Sequence, residues 1–340
     1  MTRKTTRLTL ACVALALAST LLSMLPLPAL AQTVKDPQLA ALLDARKYAE
    51  AERVATARIT ARPDDMDAYG ALTVAVTNDA DTARRDAALK RLEACVTALP
   101  NAAMCHFGVG AVLGVNAMSQ GMVAGLRSVG RIRESFVKAL EIDPLFYAAR
   151  SSLVQFYLTV PGIAGGSVSK ARDVANAASG KQPEHAKLLL GMVALDQKDY
   201  PQAERVVASV RASSDKELAG DVQAFWPQLG IAYLSDKQVA KARAVFERAV
   251  QEAPQQAIGH YGVGRALAEA GEADAAIAAY QRAAPLDGAA ALPIDYRLGM
   301  AWQAKGERDK ARAAFTRFIG AGKGSPKNLD DAKKRLAELA

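Results

Sequence analysis

Aromatic residues are scarce in this 340-residue chain: Phe, Trp and Tyr make up 6% of it, while apolar residues of every kind make up 51%. Alanine fills much of that difference, which is the composition of closely packed helices. With charged residues at 23%, disorder is excluded. Charge of one sign is lacking as well. Lys and Arg number 43, but Arg3, Lys4 and Arg7 lie in an N-terminal segment of another kind, leaving 40 against 35 acidic residues. So small and scattered a surplus argues against nucleic acid as a partner.

Long hydrophobic runs are confined to the N-terminus. A basic start is followed by an apolar run over residues 8 to 22, then by Pro26, Pro28 and the ending Ala29-Leu30-Ala31. This order predicts a secretory signal over 1–31, cut after Ala31, and a periplasmic protein. The competing reading is a retained membrane anchor. Cys12 stands before most of the apolar run, so lipidation there would leave the run on the product. After the cut, 309 residues remain, room for two ordinary domains or one long repeat array.

Repeats decide between these. Trp226-x2-Leu229-Gly230-x2-Tyr233 is followed by Ala242-x3-Phe246, Ala249 and Pro254. Thirty-four residues on, His260, Val263, Gly264, Leu267, Gly271, Ala276, Tyr280 and Ala283 repeat the pattern, and 35 further on Leu298, Gly299, Trp302, Gly306, Ala311 and Phe315 repeat it again. Leu190, Gly191, Ala203 and Val207 form a weaker copy. This resembles the tetratricopeptide repeat, a helix-turn-helix unit of about 34 residues. The small residues let two helices approach closely, the large ones fill the gaps, and the closing proline ends the second helix.

Upstream, Gly110 and Gly70 fit the glycine slot, and Pro63, Pro100, Pro144 and Pro183 punctuate at intervals of 37, 44 and 39, so the N-terminal units carry insertions. One lies between Gly114 and Arg131, with Met118, Gly121, Met122, Gly125 and Gly130, and is expected to lengthen the helices of the third unit. Another, residues 161–166, replaces the tight turn of the fourth. The predicted layout is a signal over 1–31, divergent units over 32–182, regular units over 183–325 and a capping helix over 326–340. Eight units are expected over residues 34 to 325, and the charged end supplies the polar outer face an array requires.

The resemblance implies an all-α, right-handed superhelical solenoid whose first helices line a concave groove that holds peptides or partner proteins. The expected lining is Leu188, Pro227, Tyr261 and Tyr296, then Met192, Ile231, Arg265 and Met300 one turn further. Tyr261 and Tyr296 are expected to project side by side. Chaperone-binding relatives grip a terminal carboxylate with Lys and Asn at these slots, and this chain has neither. An apolar and aromatic groove with few charges suits a helix or hydrophobic peptide. Arg265, one turn along from Tyr261, adds a single positive charge that suits an acidic residue or a free carboxylate in that segment. For the two methionines, packing against the neighbouring second helix is an equal alternative.

Nothing points to catalysis, metal or cofactor. Gly108-Val-Gly110 and Gly262-Val-Gly264 lie inside first helices, where a dinucleotide loop cannot form. The 161–166 loop, followed by Ser167 and Lys170, precedes a helix start that could favour an anion, yet lacks the phosphate-loop spacing. His106 and His260 fill the Trp226 slot in separate units, His185 begins another helix, and none has a metal-ligand neighbour one turn away. Asp79-x-Asp81 lacks the remaining oxygens of a calcium loop. Cys95 and Cys105 flank the turn at Pro100, so a disulfide is expected in an oxidising compartment, with two buried thiols as the alternative. The leading expectation is a non-enzymatic scaffold of the bacterial cell envelope. The alternative is an accessory subunit of an envelope enzyme or secretion complex, holding substrate or wall polymer. A hydrolase using the inserted loops ranks last.

Overall fold

The computed structural model describes residues 34–78, 81–119, 125–212 and 215–339. The signal expected over 1–31, Asp79 and the Gly121 and Met122 part of the insert lie outside these residues. Helices follow one another in antiparallel pairs. Unit one pairs α1 (Pro37–Asp44) with α2 (Tyr48–Ala61), and unit two pairs α3 (Met66–Asn78) with α4 (Thr82–Ala98). Unit three pairs α5 (Ala103–Ser119) with α6 (Val129–Ile142), and unit four α7 (Tyr147–Thr159) with α8 (Val168–Asn176). Units five and six pair α9 (Pro183–Asp196) with α10 (Tyr200–Ala208) and α11 (Lys216–Ser235) with α12 (Val239–Glu252). Units seven and eight pair α13 (Ala257–Glu269) with α14 (Ala273–Ala283) and α15 (Ile294–Ala304) with α16 (Arg308–Ala321). A closing helix, α17 (Pro326–Glu338), covers the end. The result is an all-α repeat solenoid.

The two Gly-x-Gly motifs explain how the layers mesh. A Cβ on Gly262 would lie 2.1 Å from the Phe246 ring of the preceding second helix, and one on Gly264 would lie 2.6 Å from the Tyr280 ring of its own. Gly108 and Gly110 face Leu92 and Phe136 in the same way, at 2.5 and 2.7 Å. Each motif thus slides a first helix between two second helices, an approach that any side chain would block. Gly230 on Phe246 and Gly299 on Phe315 keep the same contact at 2.6 Å, and Gly191 holds it against Val207. Ala203, Ala242, Ala276 and Ala311, facing these helices from the other side, are fully buried.

Gly70 is a correction. Its Cβ would meet Val34 and Met104, on neighbouring units, at 3.2 and 3.3 Å, so it does not seat a side chain of its own second helix. Elsewhere local chemistry sets the ends. Asp81 caps α4 by accepting from the Ala83 and Arg84 amides. In the 161–166 loop, Gly166 donates to the Pro161 carbonyl and Ser167 Oγ accepts from the Lys170 amide, so the α8 start expected to favour an anion is capped from within. Among the described residues, the turn between paired helices uses a left-handed residue in six units: Arg46, Lys198, Lys237, Gly271 and Gly306 in short turns, and Gly165 in the longer loop of unit four.

Candidate functional site

The residues expected to line the groove divide by their depth. Leu188, Pro227, Tyr261 and Tyr296, at equivalent turns of α9, α11, α13 and α15, are all buried. Leu188 joins Tyr200, Leu218 and Leu229 in a core between units, because an aliphatic side chain there removes more apolar area from water than it could in an open groove. Nor do the tyrosine rings stand free, which corrects the expectation of paired anchors. Tyr261 packs on Tyr280 with ring centres 5.8 Å apart, and Tyr296 packs on Phe315 and Phe318 at 6.3 and 5.4 Å. Each ring covers the aromatic that fills its own unit's glycine notch, which buries both. The second set, Met192, Ile231, Arg265 and Met300, is only half-buried and reaches the surface. Met192 also packs on the apolar cores to either side of it.

Arg297, which the repeat pattern does not single out, changes the character of this surface. Its Nε donates to Tyr261 Oη at 3.4 Å, and its guanidinium carbon stands 5.6 Å from the centre of the Tyr296 ring. Tyr296 Oη donates to Asp331 Oδ2 at 2.8 Å, and Arg335 holds the same oxygen at 2.6 Å, tying the last unit to α17. Asp331 is thereby committed to Arg335. Arg265 and Arg297 themselves have no carboxylate within ion-pairing distance among the described residues. Burial pushes the Arg265 guanidinium down from its ordinary value; Tyr261 pulls the other way, and the charge of Arg297 adds to the push. Two guanidinium groups on consecutive first helices, without an acid between them, can take a carboxylate through paired N–H donors.

The remaining polar candidates have structural partners. His106 Nε2 meets the Pro100 carbonyl at 2.9 Å and His260 Nε2 the Pro254 carbonyl at 3.1 Å, so both histidines fasten the turn that enters their helix instead of filling the Trp226 slot's core position. Trp226 is fully buried, donates from Nε1 to Glu252 Oε2 at 2.8 Å and lies 3.9 Å beneath the Arg248 guanidinium. Among the described residues, no group of three or more His, Cys, Asp and Glu is arranged to hold a metal ion, and no helix is long and apolar enough to cross a membrane. Cys95 and Cys105 are joined as a disulfide with Cα atoms 5.9 Å apart, linking α4 to α5.

Comparison with known proteins gives the same architecture. Tetratricopeptide repeat models match residues 228–291 and 295–321. No curated protein matches the chain. Among solved structures, the Cut9–Hcn1 hetero-tetramer of the APC/C is similar with a TM-score of 0.50 and 15% identity, over 88% of this chain and 54% of that one. This chain therefore spans about half the length of that relative. A tetratricopeptide repeat protein from Parabacteroides merdae aligns with a TM-score of 0.47 and 16% identity, over 78% of this chain and 97% of its own. PilF of Pseudomonas aeruginosa aligns at 0.43 and 20%, over 65% and 94%. Residues 228–291 and 295–321 match the tetratricopeptide repeat family, and they lie in a solenoid of helix pairs whose glycine notch recurs in unit three and in units five to eight, which makes the chain a tetratricopeptide repeat protein.

Proposed function

We propose that this protein is a non-enzymatic scaffold of the bacterial cell envelope, exported, cut after Ala31, and binding a partner protein or peptide along its first helices. The repeat family supports a role in protein interaction. The observation that carries the finer reading is the pair Arg265 and Arg297, half-buried without an acid partner among the described residues and bordered by Tyr261, Tyr296 and Met300. That setting favours a segment with an acidic side chain or a free C-terminal carboxylate lying on apolar surface. Arg297 adds a second guanidinium to the single charge that the sequence places at Arg265.

A photoreactive amino acid placed at Met300 in living cells should crosslink one main partner, and the same group at exposed Arg312 on α16 should not. The double variant Arg265→Gln, Arg297→Gln should lose that crosslink while keeping its helical signal. Equal yields from both positions, or a crosslink indifferent to the arginines, would overturn the groove reading. N-terminal sequencing of osmotically released protein should begin at Gln32; an intact Met1 chain held with the membranes would overturn the exported, soluble form.

A further inference from the structure

A second polar site lies away from the arginine pair, where α7, α9 and α11 meet. Tyr147 Oη donates to Asp221 Oδ2 at 2.6 Å, reaching from unit four to unit six. The Tyr147 ring meets the His185 ring edge-on, with centres 4.3 Å apart. His185 Nε2 lies 3.2 Å from Asp215 Oδ2, and Asp215 Oδ1 caps α11 by accepting from the Leu218 amide. Glu217 completes the cluster. Its Oε1 is buried and accepts no hydrogen bond.

What is missing here is positive charge. None of Asp215, Glu217 and Asp221 pairs with a Lys or Arg among the described residues, and nearby Lys187 is taken by Glu184 at 2.7 Å. Burial, with Asp221 and Asp215 adding to it, pushes the Glu217 carboxyl up to about 8. Burial likewise pushes Asp221 up to about 6, against the Tyr147 hydrogen bond. A second unpartnered acceptor stands on the same cleft. Gln182 donates from Nε2 to the Leu145 carbonyl, yet its Oε1 is buried with no donor. Of the buried side-chain nitrogens and oxygens without a partner among the described residues, these are the only two oxygens, and both belong to residues lining one cleft of about 1260 Å³.

A buried acceptor without a donor costs free energy, and a group rich in N–H donors recovers it. The ammonium of lysine brings three donors and the guanidinium of arginine five, with the charge the carboxylates lack. The cleft is larger than the usual small-molecule pocket and follows the turns leading into the first helices from unit two to unit six, which suits a length of polypeptide. We propose that this cleft binds a basic side chain, lysine or arginine, of a protein partner, seated against Tyr147 and His185 and held by Glu217, Asp215 and Gln182. The site lies on units four to six, so it stands or falls separately from the arginine pair on units seven and eight. Because the chain itself carries a formal charge of +8, its overall field does not attract such a ligand, and the local acids must do so.

The test is fluorescence anisotropy of the purified protein with a labelled tetra-arginine peptide at about pH 9, where Glu217 carries its charge, and at about 0.15 M salt, where exposed charges are largely screened beyond about 8 Å. The peptide should bind, and its tetra-citrulline counterpart, equal in shape and uncharged, should bind at least tenfold more weakly. Glu217→Gln with Asp221→Asn should weaken binding at least tenfold. Asp309→Asn with Asp330→Asn, the same charge change on exposed acids outside the cleft, should weaken it less than twofold. Should the first double variant lose its helical signal, Glu217→Gln alone serves, with an expected loss of at least fivefold. Absence of binding, equal affinity for the citrulline peptide, or equal losses from both double variants would overturn the proposal. So would displacement by putrescine at the same concentration as the peptide, which would make the ligand a free amine.

Discussion

In units six to eight, a ring from each second helix lies in the glycine notch of the first, Phe246 on Gly230, Tyr280 on Gly264 and Phe315 on Gly299. Among the described residues there, no Ser, Thr, Asn or charged residue is buried over its whole surface, Glu217 and Asp221 being only partly covered. Units two to four share that closure only at Phe136 on Gly110 and are otherwise closed differently. Thr73, Arg85, Asn116, Arg150 and Ser151, the buried polar residues of the described chain, all fall in this half. Arg85 Nε donates to Asn116 Oδ1 at 2.7 Å, and Arg150 donates to the Val174 and Pro144 carbonyls. The disulfide is here too. Where the repeat is regular, shape alone specifies the neighbour. Where it diverges, directional bonds and a covalent link replace the missing fit, and they fail in different ways when broken.

The largest expected effect is in the regular half. Trp226→Ala removes a fully buried ring and its hydrogen bond to Glu252, and should cost about 3 to 5 kcal/mol. Because units contact mainly their neighbours, hydrogen exchange should show the loss in α9 to α14 and leave α1 to α6 protected. Uniform loss would mean that the halves unfold as one body.

Next comes the polar half. Asn116→Leu keeps the branching at Cγ but removes an acceptor 2.7 Å from a buried guanidinium, and should cost about 2 to 3 kcal/mol in urea unfolding. A near-neutral result would show that apolar packing suffices there after all.

The contrast between halves also explains what the sequence could reveal. A 34-residue spacing exposes Gly230, Gly264 and Gly299 because the same contact recurs at each. Gly70 lies outside that register, and its contacts, Val34 and Met104, come from units of a different length. Arg297 is hidden for a related reason: it follows the Tyr296 slot directly, where the preceding unit has Gly262, so a search for equivalent residues passes over it although it reaches Tyr261 one unit away. Glu217 and Asp221 sit in the extra turns that make α11 a 20-residue helix, ahead of the repeat's own start. Their four-residue spacing, one turn of a helix, was the available signal. Tyr261 and Tyr296 were legible as equivalents, but periodicity fixes only the position along the helix and not which neighbour the ring covers.

Breaking the covalent link should cost no more than the Asn116 change, the chain-entropy figure being an upper bound. Cys95→Ser with Cys105→Ser frees a loop with a sequence separation of 10, worth about 2 to 3 kcal/mol by chain entropy. Reduction of the unaltered protein should match it, with the loss confined to units two and three.

The junction between the halves should respond to pH. Tyr147 from α7 and Asp215 and Asp221 on α11 act on Glu217, while His185 of α9 contacts Tyr147 and Asp215 and has Glu184 beside it. Its folded carboxyl is raised from 4.5 to about 8, so over that window the folded state binds more protons than the unfolded one. Stability is therefore highest at the acid end and falls as pH rises. Burial lowers the His185 value from 6.5, which acts in the opposite sense at lower pH, so the carboxylate effect is cleanest above 6.5. From pH 6.5 to 8 the loss should be about 1 to 2 kcal/mol, and Glu217→Gln should flatten it. An unchanged slope in that variant would remove Glu217 as the cause.

The smallest effect concerns the turns. Lys237 holds φ at 61° where the next unit has Gly271 at 80°, the same turn one repeat later. A lysine in this left-handed region crowds its Cβ against the following carbonyl, at about 1 to 2 kcal/mol. Replacing it with glycine relieves that strain but gives the unfolded chain more freedom, which takes back roughly half. Lys237→Gly should thus stabilise by about 0.5 to 1 kcal/mol, and Gly271→Ala should destabilise by about 1 kcal/mol, both read as shifts in the urea midpoint. The lysine ammonium lies 3.9 Å from Glu269, with 81% of the lysine side chain exposed, too open a contact to reverse the sign. If Lys237→Gly destabilises while Gly271→Ala behaves as expected, the two turns are not equivalent, and unit six departs from the regular half at its turn as well as at its extended first helix.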